Sequence, residues 1–131
     1  MLWAAVVGCS SIGALQALPP QAATTSSGVY TSRQASRGEQ TYMSICVACH
    51  PPGTYTAPAF RAKWNGVPVS ELFGFISETM PKQEPATLTA EEYVDVVAYL
   101  LKINGAPTGK QELAADVAVM KKIRILSLIH I

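Results

Sequence analysis

YMSICVACHPPGTY, residues 42–55, is the stretch on which the reading of this chain turns. At its centre, Cys46-Val47-Ala48-Cys49-His50 sets two thiols two residues apart, with an imidazole directly after the second. The chain holds three cysteines and two histidines in 131 residues. The others are Cys9, in an apolar opening stretch, and His130, at the extreme end. The motif therefore gathers three of the chain's five thiol and imidazole side chains into a single turn's length.

Four chemistries compete for such a motif. A structural zinc site needs four ligands; Cys46, Cys49 and His50 supply three, and an adjacent Cys and His strain tetrahedral closure. A thioredoxin-like redox pair sits at a helix start after a strand, and no strand pattern precedes Tyr42. A disulfide would leave the histidine unexplained. The fourth is covalent haem attachment, for which C-x-x-C-H is the signature. Each thiol adds to one haem vinyl group, and the two vinyls lie along one edge of the ring. Two intervening residues within a turn of helix let both sulfurs reach that edge, and the next residue turns its imidazole under the iron.

This fourth reading asks for a second axial donor on an extended segment. ISETMPKQEPATLT, residues 76–89, offers Met80. Pro81 restrains Met80 to extended conformations, and Pro81 and Pro85 together exclude regular helix throughout. The flanks are helical. Gly38, Tyr42, Ile45 and Cys46 share one face at helical spacing, and Gly38 inside that pattern implies close approach of another backbone. LTAEEYVDVVAYLLKIN, residues 88–104, carries Thr89 as N-cap with Glu92 three residues on, a capping box. Tyr93, Val96, Val97 and Leu100 form its stripe, and Asn104-Gly105 ends it. Between the two, Ser70 is expected to cap a third helix bearing Leu72, Phe73 and Ile76.

Composition divides the rest. Charged residues are 15% of the chain and the net charge is +1, so no basic field suggests nucleic acid as a partner. The first charged side chain is Arg33. Residues 1–23 read as a signal peptide, apolar to about Leu18, broken by Pro19-Pro20 and followed by Ala, Thr and Ser, though no Lys or Arg opens it. Val6 to Cys9 also resembles a bacterial lipobox, which would make Cys9 a lipid-bearing terminus and attach the chain to a membrane. The apolar run is slightly short of the roughly 20 residues that span a bilayer. Residues 24–32 read as a linker, 33–105 as the folded domain, and 106–124 as an extension wrapping the surface. Residues 125–131, with an apolar end and His130, read as a non-native or disordered end.

Taken in order, Gly38, Tyr42, Cys46, Cys49, His50, Pro58, Trp64, Met80-Pro81 and EEYVDVVAYL resemble a small class I, mono-haem c-type cytochrome of bacterial kind, over residues 33–104. The resemblance implies an all-α cytochrome c fold, three to four short helices around one covalently bound haem c. It implies that the first helix crosses the last, with Gly38 and Tyr42 against Ala98, Tyr99 and Leu100. It implies that the Pro58 carbonyl accepts the Nδ1–H of His50 and that Trp64 hydrogen-bonds a haem propionate. Two departures bear on Pro58: the His50–Pro58 loop is short, and Pro51 stands where the family often has Gly. Residues after 105 resemble the extensions of cytochromes associated with quinoprotein dehydrogenases.

Function follows from coordination. With His50 and Met80 on the iron, no position stays open for O2 or peroxide, and thioether ligation favours Fe(II). Phe60, Trp64, Leu72, Phe75 and Leu100 are expected to bury the ring. The expectation is a periplasmic or exported one-electron carrier, not an enzyme. A dehydrogenase would be its donor, and an oxidase or another cytochrome its acceptor. The alternatives are a haem peroxidase or gas sensor in which Met80 dissociates, and an electron-accepting subunit of a quinoprotein dehydrogenase. The cluster Lys121, Lys122 and Arg124 reads as a solvated face.

Overall fold

The computed structural model describes residues 23–126. The expectations for the leader, Cys9 and His130 lie outside them. Helix α1 (Ser32–Thr41) begins where the Thr31 hydroxyl accepts the Gln34 N–H at 3.1 Å. After α2 (Pro58–Trp64) and α3 (Val69–Thr79) comes α4 (Ala90–Ile103), and α5 (Val117–Met120) is a single turn. The mostly helical architecture is that of the expected cytochrome c fold.

Helix α4 is the centre. Its capping box forms as expected: the Thr89 hydroxyl accepts from Glu92 N, and the Glu92 carboxylate accepts from Thr89 N at 2.8 Å. Residues 93–101 are all buried, so the helix is enclosed on every side and not on one stripe alone. One side, with Tyr93, Val94, Val97, Ala98 and Leu101, packs with α3 and both ends of the described chain. The other side, with Val96, Tyr99 and Leu100, packs with Tyr42 and Cys46.

Gly38 is where α1 crosses α4. A Cβ there would lie 1.8 Å from the Asp95 carbonyl oxygen, so only glycine lets the two backbones meet. The crossing point is Asp95-Val96, one turn before the expected Ala98 region. Tyr42 does reach that region, its ring 5.1 Å from that of Tyr99. Arg37 reinforces the crossing with two hydrogen bonds to Asp95, at 2.8 and 2.9 Å. Its guanidinium also holds Glu112.

Four expectations need correction. Ser70 does not cap α3; it lies inside the first turn, after Pro68, whose carbonyl accepts from Glu71 N at 3.0 Å. The segments expected as linker and surface extension are part of the core. Tyr30, Thr25 and Met120 are fully buried, and Leu113 is 3% exposed. Tyr30 Oη donates to the Ala106 carbonyl, and the Gln34 amide pairs both ways with Leu113, at 2.9 and 2.8 Å. A Cβ on Gly109 would fall 1.8 Å from the Gly28 carbonyl oxygen, so the two segments meet backbone to backbone. Finally, β1 (Ala23–Thr24) pairs in parallel with β2 (Ile123–Arg124), where no strand was expected. Ile125, expected in a disordered end, is 7% exposed, and its N–H donates to Val67 O at 2.9 Å. Ser70 aside, long-range burial, invisible to local periodicity, decides these.

Candidate functional site

The C-x-x-C-H motif begins on an unusual turn. After Thr41 the helix widens into a π-helical turn, Tyr42–Cys46, closed by Val47 N to Tyr42 O at 3.0 Å. Such turns are rare and concentrate at functional sites. Here it ends at Cys46, which is half-buried, while Cys49 is exposed; both are free thiols. Burial pushes the Cys46 thiol above its ordinary value. The main chain then folds back, His50 N donating to Cys46 O at 2.9 Å. Tyr42 Oη donates to the His50 carbonyl, so the first residue of the turn holds the last residue of the motif.

Two hollows meet at this motif. The larger is a cleft of about 610 Å³, counting its open mouth, and Cys46 and His50 line it. Its walls include Phe60, Trp64, Leu72, Phe75 and Leu100, the five residues expected to bury the ring. An edge-to-face contact between Tyr55 and Phe60 continues as a tilted one to Trp64, and Lys63 sits over Trp64 and Phe75 at 5.0 and 4.7 Å. The second hollow is lined by Cys46, Cys49, His50 and Met80, with Ile45, Pro81, Lys82 and Gln83. Of the six candidate residues, the structure brings these four cysteine, histidine and methionine side chains to one place. Trp64 lines the adjoining cleft, and Pro58 lines neither.

Met80 is the C-cap of α3, in extended backbone (φ −126°, ψ 149°) as its following proline requires. Its carbonyl accepts a hydrogen bond from Tyr93 Oη at 2.6 Å. Tyr93 thus fixes the Met80 segment from the first turn of α4.

The Pro58 expectation needs correction as well. Pro58 is exposed at the first position of α2, and His50 Nδ1 instead faces Tyr55 Oη at 2.6 Å. Tyr55 arrives there on a 3-10 turn, Pro52–Thr56. Its own carbonyl accepts from Asn104 Nδ2 at 2.7 Å. Sequence reasoning placed Tyr42 and Tyr93 on helix faces but not in the site, and did not single out Tyr55. Each acts through a hydroxyl whose partner is remote or across a turn, so spacing alone carries no signal of it.

The group implied by the motif is a haem, and the residues present fit it. A thiol and an imidazole that line both hollows, a second thiol and a thioether lining the smaller one, and an apolar cleft alongside are what covalent attachment asks for. Among the described residues no group of three or more His, Cys, Asp or Glu side chains could hold a bare metal ion, and none of the helices is long and apolar enough to cross a membrane. No curated protein and no solved structure matches the chain. Residues 33–100, just over half of it, match the family model described as cytochrome c oxidase, cbb3-type, subunit III. The chain belongs to that family, and with it to the c-type cytochromes, which bind haem c covalently and transfer electrons.

Proposed function

We propose that the protein is an exported one-electron carrier in which Cys46 and Cys49 attach the haem and His50 and Met80 are its axial ligands. The observation that carries this is the convergence of those four side chains on one hollow beside an apolar cleft. Haem c supplies an iron that gains and loses one electron. The chain does the rest. Tyr42 and Tyr55 hold His50 at its carbonyl and its ring. Tyr93 and Pro81 hold Met80 in extended backbone. Phe60, Trp64, Leu72, Phe75 and Leu100 exclude water, and the lowered dielectric favours the less charged redox state.

The apolar leader at residues 1–23 supports export to the periplasm, with membrane attachment through Cys9 as its variant. The family's description as an oxidase subunit favours an oxidase as the electron acceptor; a dehydrogenase is the proposed donor. The test is an absorption spectrum of the full chain matured with haem, oxidised and reduced, beside Met80→Ala and Cys49→Ala. The wild type should show covalently held, low-spin haem with the far-red absorption of thioether-ligated Fe(III). Met80→Ala should lose that absorption while keeping the haem, and Cys49→Ala should lose covalent loading. An unchanged spectrum in Met80→Ala would rule Met80 out as a ligand.

A further inference from the structure

Two tyrosine hydroxyls anchor His50, and only one of them does so at its main chain. Tyr42 Oη holds the carbonyl, whereas Tyr55 Oη stands 2.6 Å from the ring nitrogen Nδ1. Tyr55 is itself held at three points. Its ring meets Phe60 edge-on at 5.2 Å and Tyr42 at 6.4 Å, and its carbonyl is fixed by Asn104 at the end of α4. The hydroxyl therefore sits at Nδ1 because the surrounding packing puts it there.

We infer that Tyr55 is a positioning residue for electron transfer, its hydroxyl accepting the His50 Nδ1–H and thereby setting both the ring orientation and the donor strength of the ligand. This rests on the reading of His50 as an axial ligand. A neutral imidazole that binds metal through Nε2 carries its proton on Nδ1, and a partner at Nδ1 fixes the tautomer and raises the basicity of the other nitrogen. A more basic ligand stabilises the more highly charged metal, so the hydrogen bond favours Fe(III) and lowers the reduction potential. A phenol oxygen differs from a main-chain carbonyl in one further respect: a single side-chain substitution removes it.

The test uses the full-length holoprotein. In the reduced wild type, the His50 Nδ1–H should exchange slowly with solvent and show a nuclear Overhauser contact to the Tyr55 ring protons. Tyr55→Phe keeps the ring packing and removes the hydroxyl. It should retain haem and near-wild-type thermal stability, speed Nδ1–H exchange, and raise the potential by up to about tenfold in the Fe(III)/Fe(II) equilibrium, about 59 mV for one electron. A purely structural role would lower the melting temperature and leave the potential alone. A contact from Nδ1–H to Pro58 in the wild type, or an unchanged potential with Nδ1–H still protected in Tyr55→Phe, overturns the inference and leaves His50 as ligand. Wild-type haem without the ring-current-shifted signals of a bound His50 overturns both.

Discussion

Replacing Gly38 by alanine pits two effects of opposite sign against each other. Alanine in a helix interior is favoured over glycine by about 1 kcal/mol, so local propensity alone makes Gly38→Ala stabilising. The crossing with α4 says otherwise. The new Cβ would meet the Asp95 carbonyl oxygen at 1.8 Å and its carbonyl carbon at 2.4 Å, where ordinary contact begins near 3.4 Å. The helices must part by about 1.6 Å, and neither side can yield by a rotamer change because both contacts are main chain. Overpacking of this kind costs typically about 1–3 kcal/mol, and here the upper end applies. Parting the helices also pulls Asp95 from Arg37; Arg37 is 42% exposed, so that loss adds no more than about 1 kcal/mol. The net expectation is destabilisation by about 2–3 kcal/mol, a fall in melting temperature of roughly 10–20 °C for a domain of this size. The assay is thermal unfolding of the holoprotein followed by far-ultraviolet circular dichroism, with Gly53→Ala as control, since a Cβ there meets nothing within 4 Å. An unchanged or raised melting temperature in Gly38→Ala would refute the close approach.

Tyr93→Phe removes the hydroxyl that Met80 O accepts; we expect a stability loss of about 1 kcal/mol and easier displacement of Met80 by added imidazole, read by titration of the far-red absorption. Ile125→Ala should cost about 2–4 kcal/mol in denaturant unfolding, because Ile125 is a core residue; a cost near zero would return it to the surface. Arg37 holds the Glu112 carboxyl below its ordinary value of 4.5. The folded state therefore favours the ionised form, and this contribution is fully present above the ordinary carboxylate range and lost as pH falls through it. Glu112→Gln should flatten that acid limb of stability against pH while leaving the remainder of the curve in shape.

What could be read from the sequence was whatever is encoded within a turn or two of chain. The capping box of Thr89 and Glu92 and the extended Met80 before Pro81 are dictated by local stereochemistry, and Gly38 was legible as a glycine inside a helical pattern although the backbone it meets, at Asp95, lies far along the chain. The apolar walls Phe60, Leu72 and Leu100 were legible because a cofactor cleft needs such residues at helical spacing. What escaped depends on partners far along the chain. Tyr30 and Ala106, Gln34 and Leu113, and the two-residue strands at 23–24 and 123–124 meet only when the domain closes. Two residues of strand carry no periodicity to detect. Tyr55 escaped for a different reason: its direction is set by a 3-10 turn and by Asn104, which no local pattern marks.

Helix α4 also acts as a spacer bar between the two loops that carry the proposed ligands. Tyr93 near its start grips the carbonyl of Met80, and Asn104 at its end grips the carbonyl of Tyr55, the neighbour of His50. At about 1.5 Å per residue, these two grips are roughly 16 Å apart along a buried rod. A rod cannot release one end gradually while keeping its length, and residues 93–101 are enclosed throughout. Fraying of α4 therefore loosens both loops together, and the temperature at which the iron would lose its ligands is tied to the temperature at which the domain loses its central helix.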